Sequence, residues 1–218
     1  TDVQLEDIML SVLEQISLLE SECPGTIQTI KNLPFIQTRS GTRCRPVHLY
    51  DPRSSQLQEL LSDSTNVFPC GKFEKAEYLH HLERLGMMNT LSPESFCSLV
   101  QKISTEGNYV LAERLLTVLD SIEETLKSQT WKDAFESVRL YLWIPSKKLP
   151  ASLSPLKINR NIHKQALAAH KTAAKFDDEL LCSLIKPVCS VQLKSKVLLD
   201  LLGWDRMESD DVVCKQLE

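Results

Sequence analysis

The sequence contains few of the patterns that build active sites. Only 6 of its 218 residues are glycine, and neither GxGxxG nor another phosphate-binding loop occurs. The GxSxG pattern of serine hydrolases and the CxxC pairs of zinc sites are missing as well. We therefore predict that the chain is not an enzyme and carries no catalytic residue, no cofactor and no metal ligand.

Clustered positive charge and long apolar runs are also scarce. The formal net charge is -4, whereas nucleic-acid-binding surfaces need clustered Lys and Arg side chains. No apolar run approaches the roughly 20 residues that span a bilayer, and no signal peptide opens the chain. We expect a protein that binds no nucleic acid and does not insert into a membrane. Both ends fall within helical patterns, so we expect a piece of a longer protein.

The cysteines indicate free thiols. There are 7 of them, an odd number, scattered at positions 23, 44, 70, 97, 182, 189 and 214. Several lie in helical patterns, where a small thiol packs well in a core. This usage is typical of a reducing compartment rather than of a disulfide framework.

Two similar phrases lie roughly 110 residues apart, a period typical of duplicated subdomains. In each phrase a leucine-rich helix pattern runs into a glycine, Gly86 in the first and Gly203 in the second. A cysteine follows each glycine at the same distance, and an aromatic and proline cluster precedes each, at 33–36 and at 142–145.

This duplication predicts a mainly α fold with minor β (α+β). We expect two duplicated helix–β-hairpin–helix units, residues 1–106 and 107–218, which pack side by side or as one domain. Because the packing patterns are duplicated and reactive side chains are not, the repeat indicates a structural role.

Local patterns predict the helices of the first unit. Apolar spacing gives an amphipathic helix over 3–19, and Cys23-Pro24-Gly25 would end it with a left-handed glycine turn. Asp51-Pro52 is expected to cap a short helix that ends near Leu61. A further helix over 74–85 stops at the first repeated glycine.

A β-hairpin is predicted between these helices. The runs 33–38 and 43–48 flank Ser40-Gly41, a turn sequence, and Pro46 would lie on an edge because it cannot donate to a ladder. Phe68 is expected to plug into the core.

The rest of the chain is predicted to be more helical. Ser92 and Pro93 begin a helix whose apolar face ends at Ile103. Trp131, Trp143 and Trp204 lie in apolar patterns and are expected in the core or at the interface between the repeats, not in a carbohydrate-binding surface. Further helices are predicted at 108–126, 131–139, 161–174, 177–186 and 191–202, with a strand at 140–145, a loop or loose hairpin at 150–155, and a terminal helix capped by Asp210 or Asp211.

Three pairs of side chains are candidate metal ligands, and each is weak. His80 and His81 are helix neighbours that point about 100° apart, so they cannot both face one ion. Cys44 and His48 would share one face of a strand but supply only two ligands. Cys182 and Cys189 have no further pair beside them. A structural role is therefore expected for all of them.

Two other functions stay open. His48, His80, His81, Cys44 and Cys70 could converge in space into a dispersed enzyme site. The two LxxLG turns and the helices after them outline helix-turn-helix units that would bind nucleic acid, although those helices lack the Arg, Lys and Asn rows that contact DNA.

The order of several phrases resembles the sacsin family of very large, multidomain, chaperone-like proteins. The resemblance covers most of the chain, from about Ile30 to the end. The phrases that carry it are Leu33-Pro-Phe-Ile36, Gly41, Leu49-Tyr-Asp-Pro52, Val67-Phe-Pro69, Leu85-Gly86-Met87, Leu91-Ser-Pro93, Leu202-Gly203-Trp204, Val213 and Gln216-Leu217.

This resemblance implies a module of a chaperone-like scaffold. The family is built from large repeats that begin with a subdomain like a chaperone-type ATPase, whose Asp and Gly motifs are missing here, so the chain corresponds to a later subdomain. The implied partners are other subdomains of the same protein, Hsp-type chaperones, and clients such as intermediate filaments. The implied location is the cytoplasm, with partial association with mitochondria. No functional residue of the family can be carried onto this chain.

Overall fold

The computed structural model describes residues 2–148, 164–179 and 186–204. The chain divides into two compact units, Thr1–Leu91 and Ser92–Glu218. Helices dominate, and each unit carries a small antiparallel sheet. The predicted mainly α fold with minor β is therefore confirmed.

The first unit is a set of helices around a β-hairpin. Apolar side chains from α1, α3, α5 and β1 form one buried cluster, its core. In chain order the elements are α1 (Asp2–Glu14), α2 (Ile16–Glu22), α3 (Pro24–Lys31), β1 (Ile36–Gln37), β2 (Arg43–Cys44), α4 (Ser55–Leu60) and α5 (Ala76–Arg84), with 3-10 turns at Pro46–His48 and Gly71–Glu74.

The predicted helix over 3–19 is two helices, α1 and α2. The chain breaks at Gln15, whose backbone leaves helical geometry (φ -97°, ψ 8°). The expected left-handed turn at Gly25 is wrong, because Gly25 lies inside α3 and has no positive φ. Pro24 begins α3 instead, a position that suits its fixed φ and missing N–H.

The hairpin forms where the sequence predicts it. β1 and β2 pair antiparallel with Ile36 opposite Cys44, and Gly41 turns the chain with φ +80°. Pro46 is not on a strand edge; it is buried and starts a 3-10 turn. Phe68 is buried, as predicted.

Ser54, rather than Asp51, caps α4. The Ser54 Oγ accepts a hydrogen bond from the Leu57 N–H at 3.4 Å. Asp51 instead accepts from the Arg53 N–H at 2.8 Å and pairs with the Arg53 guanidinium. Burial raises the pKa of Asp51, but hydrogen bonds and attraction from Arg53 outweigh it and hold the pKa below its usual value. Arg53 also pairs with Glu83, which ties this turn to α5.

The second unit combines helices with a three-stranded sheet. Side-chain oxygens of Ser92, Asn108 and Ser195 cap three of its helices, and the Ser92 cap was predicted. The described elements are α6 (Pro93–Glu106), α7 (Tyr109–Ser121), α8 (Glu123–Leu126), α9 (Gln129–Ser137), β3 (Ile144–Lys148), β4 (Lys164–Ala168), a 3-10 turn (Phe176–Asp178), β5 (Val188–Cys189) and α10 (Lys196–Leu202).

The division between the units lies earlier than the sequence placed it. The expected boundary was between residues 106 and 107, whereas the compact units meet between Leu91 and Ser92. The physical reason is the packing of α6, which contacts α7 and α9 of the second unit.

The sheet has the order β4-β3-β5, with both pairs antiparallel. The helix expected over 161–174 is wrong, since β4 occupies 164–168 and pairs with β3. The strand expected at 140–145 begins only at Ile144, and it continues through Pro145, whose carbonyl accepts from the Ser190 N–H at 2.8 Å. Proline fits at this position because its carbonyl accepts the hydrogen bond and no backbone N–H donor is needed.

Other expected bounds shift modestly or lie outside the described residues. The helix over 108–126 divides at Ile122 into α7 and α8, and the helix at 191–202 begins only at Lys196. The loop at 150–155, most of the helix at 177–186, and the cap at Asp210 or Asp211 lie outside the described residues.

Both repeated phrases end in the same turn. Gly86 has φ +100° and Gly203 has φ +76°. In each turn the amide after the glycine bonds to the carbonyl of the residue five positions earlier, at 2.9 Å and 2.7 Å respectively. This is the Schellman geometry that satisfies the last carbonyls of a helix, and it confirms the two predicted stops. The wider duplication stays a prediction.

Asp120 holds the segment that leads into α10. Its Oδ1 accepts from the Lys194 N–H and the Ser195 N–H, both at 2.8 Å. We expect Asp120→Ala to lower the free energy of unfolding by about 1.5 to 3 kcal/mol, because two backbone donors lose a charged acceptor. Urea unfolding measures this, with Asp120→Asn as the control that keeps one acceptor oxygen. Equal losses in both variants would contradict this role.

Among the described residues, no helix combines the length and apolar character needed to cross a bilayer.

Candidate functional site

A cluster of aromatic rings forms the centre of the second unit. Phe96 lies between the rings of Phe135, Trp131 and Trp143, with centroid distances of 4.8, 5.4 and 5.5 Å. His170 packs edge-on against Trp143 at 6.2 Å. All three tryptophans of the chain are buried, as predicted. Two surface features lie beside this cluster, a cavity that His170 lines and an exposed apolar turn that directly precedes Trp143.

The cavity has a volume of about 430 Å³. Its wall comes from the end of α9, the segment after β4, the residue Lys186 before β5, and the C-terminal turn of α10. The residues that line it are Glu136, His170, Lys171, Ala173, Lys175, Asp178, Lys186, Asp200, Leu201, Leu202, Gly203 and Trp204.

His170 and Asp178 are buried polar residues of this wall. The side chain of His170 lines the cavity, the residue is 3% exposed, and its Nδ1 has no hydrogen-bond partner among the described residues. Its backbone carbonyl accepts from Trp204 Nε1–H at 3.0 Å, which fixes the position of the residue. Burial lowers the pKa of His170, the charge of Lys171 adds to this, and Glu136 opposes it. The ring is therefore neutral at pH 7.

Two long ion pairs lie in the same wall as His170. Lys171 Nζ lies 3.9 Å from Glu136 Oε2, and Lys175 Nζ lies 3.8 Å from Asp178 Oδ1. Arg139 donates to Glu136 at 3.4 Å. These separations exceed hydrogen-bond length for the two lysines, so each ammonium keeps donors available.

The apolar turn comprises Leu140, Tyr141 and Leu142, and we call it the 140–142 turn. Leu140 is 79% exposed and Leu142 is 50% exposed. Its backbone is nevertheless fixed, because the Tyr141 N–H donates to Val138 O at 3.0 Å and the Leu142 N–H donates to Ser104 Oγ at 3.1 Å. The turn therefore presents large apolar side chains to solvent from an ordered base.

A second polar cluster, at β5, has a structural character. Ser190 Oγ–H donates to Glu113 Oε1 at 3.0 Å and lies 3.2 Å from Pro145 O, which joins the sheet to α7. The adjacent Cys189 is buried, and burial raises the pKa of its thiol to about 12. Nucleophilic cysteines need the opposite shift, so this thiol is not activated.

The histidine and cysteine pairs singled out in the sequence do not form ligand sets. The rings of His80 and His81 lie 5.9 Å apart, and His80 is exposed beside Glu83. Cys44 lies in β2 and donates to Asn66 O at 3.6 Å, whereas His48 lies in a 3-10 turn. The expected placement of these two on one strand face is therefore wrong.

Within residues 2–148, 164–179 and 186–204, no group of three His, Cys, Asp or Glu side chains could hold a metal ion. Cys182 lies outside these ranges. The described cysteines, Cys23, Cys44, Cys70, Cys97 and Cys189, are free thiols.

The first helix-turn-helix outline crosses the division between the units. Its helices are α5, in the first unit, and α6, in the second. The second helix of the other outline lies outside the described residues. Nucleic-acid binding stays an untested alternative.

Sequence reasoning missed the cavity and His170. The lining residues are spread from Glu136 to Trp204, so no local motif could reveal them. One signal was available, since His170 stands alone in an alanine-rich stretch between Ala168-Ala169 and Ala173-Ala174.

The chain is similar to human sacsin, with 26% identity over 157 residues. The aligned part is 66% of this chain and 3% of sacsin, so the chain spans only a small part of that relative. No protein-family profile matches the chain, and no solved structure matches it either.

Proposed function

We propose that the chain is a non-catalytic interaction module of a chaperone-like scaffold protein related to sacsin. The similarity to sacsin over 157 residues is the observation that carries this proposal. The module would act in protein quality control and in the organisation of cytoskeletal filaments and mitochondria. It would correspond to a subdomain that follows the ATPase-like subdomain of a repeat.

The 140–142 turn supports an interaction role. A chaperone-like surface must contact apolar segments of unfolded clients, and such contact needs apolar side chains that are exposed before the client arrives. Leu140 and Leu142 are exposed, while the neighbouring Trp143 is fully buried. The turn can therefore bind a client without unfolding its own base, and little ordering entropy is lost.

Partners of the proposed module are other subdomains of the same protein, Hsp-type chaperones, and clients such as intermediate filaments. The proposed location is the cytoplasm, with part of the protein at mitochondria. These partners follow from the family resemblance, and they define which binding assays to perform.

Suppression of client aggregation tests the proposal. We expect the 218-residue chain to reduce light scattering by aggregating, reduced lysozyme, and the double variant Leu140→Ser/Leu142→Ser to lose at least about half of that effect, because it removes exposed apolar area. Val110→Ser is the matched control, since Val110 is also an exposed apolar residue of the second unit.

The stability of the variants separates binding from folding. Substitutions at exposed positions should change the free energy of unfolding by no more than about 0.5 kcal/mol. Equal suppression by the wild type and the double variant would exclude the 140–142 turn as the client surface. No suppression by the wild type would exclude client holding and leave only a spacer role.

A further inference from the structure

We infer that the cavity of the second unit binds a small zwitterion, a molecule of the amino-acid class with an ammonium group, a carboxylate and an apolar side chain. This site is distinct from the 140–142 turn, and the inference does not depend on the proposed scaffold role.

The cavity has the size and the mixed wall of a small-molecule site. Its volume of about 430 Å³ falls within the roughly 300 to 1,000 Å³ range of ligand pockets. Leu201, Leu202 and Trp204 supply apolar surface on the α10 side. Most of the remaining lining residues are charged, so the wall offers both apolar surface and charges to a ligand.

The charges of the wall are balanced. Three cations and three carboxylates line the cavity together: Lys171, Lys175, Lys186, Glu136, Asp178 and Asp200. A bare anion would gain from the lysines but would meet three carboxylates, and a bare cation would meet the reverse. A zwitterion presents both signs, and it can place each pole against the opposite charge without leaving an unpaired charge in the cavity.

The wall has groups available for each pole. The ammonium groups of Lys171 and Lys175 lie 3.9 and 3.8 Å from their carboxylate partners, which leaves donors for a ligand carboxylate. Asp200 lines the cavity and makes no ion pair within the part of the chain that the structure describes, so it is the acceptor for the ligand ammonium.

His170 is the independent sign that the wall is built for a ligand. A buried polar group normally has a hydrogen-bond partner, and an unpaired one costs stability. His170 is 3% exposed, lines the cavity, and has no partner for Nδ1 among the described residues. Nδ1 itself is enclosed by the fold, so a small rotation of the neutral ring when a ligand binds would bring this atom to the cavity, where the ligand supplies the polar contact that the fold does not.

Isothermal titration of the full 218-residue chain with three probes tests the charge requirement. The probes are phenylalanine, N-acetylphenylalanine, which has only the carboxylate charge, and phenylalanine amide, which has only the ammonium charge. We expect phenylalanine to bind and each single-charge probe to bind at least about tenfold more weakly, since each loses one charge-assisted contact. No binding of phenylalanine, or equal binding of either single-charge probe, overturns the inference.

Three variants locate the binding site. His170→Phe keeps the ring packing and the backbone carbonyl that accepts from Trp204, so we expect it to fold and to weaken binding about tenfold. Asp200→Asn should weaken binding of phenylalanine by a similar factor but leave the weak binding of N-acetylphenylalanine unchanged. Lys132→Gln is the control, because Lys132 is exposed on α9 and does not line the cavity.

A melting curve without ligand separates affinity from stability. If His170 were only a packing residue, His170→Phe would raise or preserve the melting temperature and leave the dissociation constant of phenylalanine unchanged. That result overturns the role of His170. A weaker dissociation constant with a preserved melting temperature supports it.

Discussion

Trp143→Ala should lower the free energy of unfolding of the second unit by about 3 to 5 kcal/mol, the usual cost of removing a buried aromatic ring. Trp143 is completely buried, and its ring contacts Phe96 at 5.5 Å, Phe135 at 6.1 Å and His170 at 6.2 Å. The cavity left by alanine would lie at the centre of the aromatic cluster, where helices and sheet meet. Urea unfolding followed by circular dichroism measures the loss.

Two controls define the cause of this loss. Trp143→Phe removes an indole N–H that has no hydrogen-bond partner among the described residues. Removing an unpaired buried donor is favourable, and this gain offsets part of the stability lost with the packing of the larger ring. We expect this variant to lose less than half as much stability as alanine. Val110→Ala, at an exposed site of α7, should change stability by no more than about 0.5 kcal/mol. A wild-type midpoint for Trp143→Ala would show that the aromatic cluster is not the core.

Gly86→Val should destabilise the first unit by about 2 to 5 kcal/mol. Two costs add at this position. The φ of +100° lies in the left-handed region that a β-branched residue rarely adopts, and a Cβ there would lie 2.9 Å from Val47 Cγ1. The second of these costs, the close approach to Val47, is overpacking, which typically costs about 1 to 3 kcal/mol by itself. Thermal and urea unfolding both measure the sum.

Gly107 separates the two costs. It also has a left-handed backbone, with φ +68°, but no atom lies within 4 Å of the position of an added Cβ. Gly107→Val should therefore show the backbone strain alone and lose less stability than Gly86→Val. If the two valine variants were equally destabilised, contact with Val47 would not contribute.

Local turn chemistry predicted the fold well where one short signal decides the outcome. Ser40-Gly41 gave the hairpin, because glycine at φ +80° supplies the turn that few other residues adopt. Ser92-Pro93 gave the start of α6, because a hydroxyl cap and a proline in the first turn act within a few residues. Such signals do not depend on distant partners.

Tertiary pairing decided the elements that the sequence missed. The alanine-rich stretch at 164–168 has helix propensity, yet it forms β4 because it pairs with β3 along its whole length. The residues at 140–142 have strand propensity, yet they form an exposed turn because the sheet begins at Ile144. Propensity differences are small beside the energies of such pairing.

The candidate site was the least predictable part. The absence of sequence motifs was read directly from the chain, but the cavity is created by Glu136, His170 and Trp204, which are distant in sequence and share no spacing rule. The buried tryptophans were predicted because each lies in an apolar pattern. The packing of His170 against Trp143 could not be predicted, because no sequence pattern links these two residues.

The buried thiol of Cys189 allows opening of the sheet in the second unit to be followed by alkylation kinetics. A thiol with a pKa of about 12 is almost wholly protonated near neutral pH, so iodoacetamide can react only after the edge strand β5 separates from β3. Cys23 is exposed and reacts from the native state, which supplies an internal reference rate. The ratio of the two rates reports how often this edge opens in native solution.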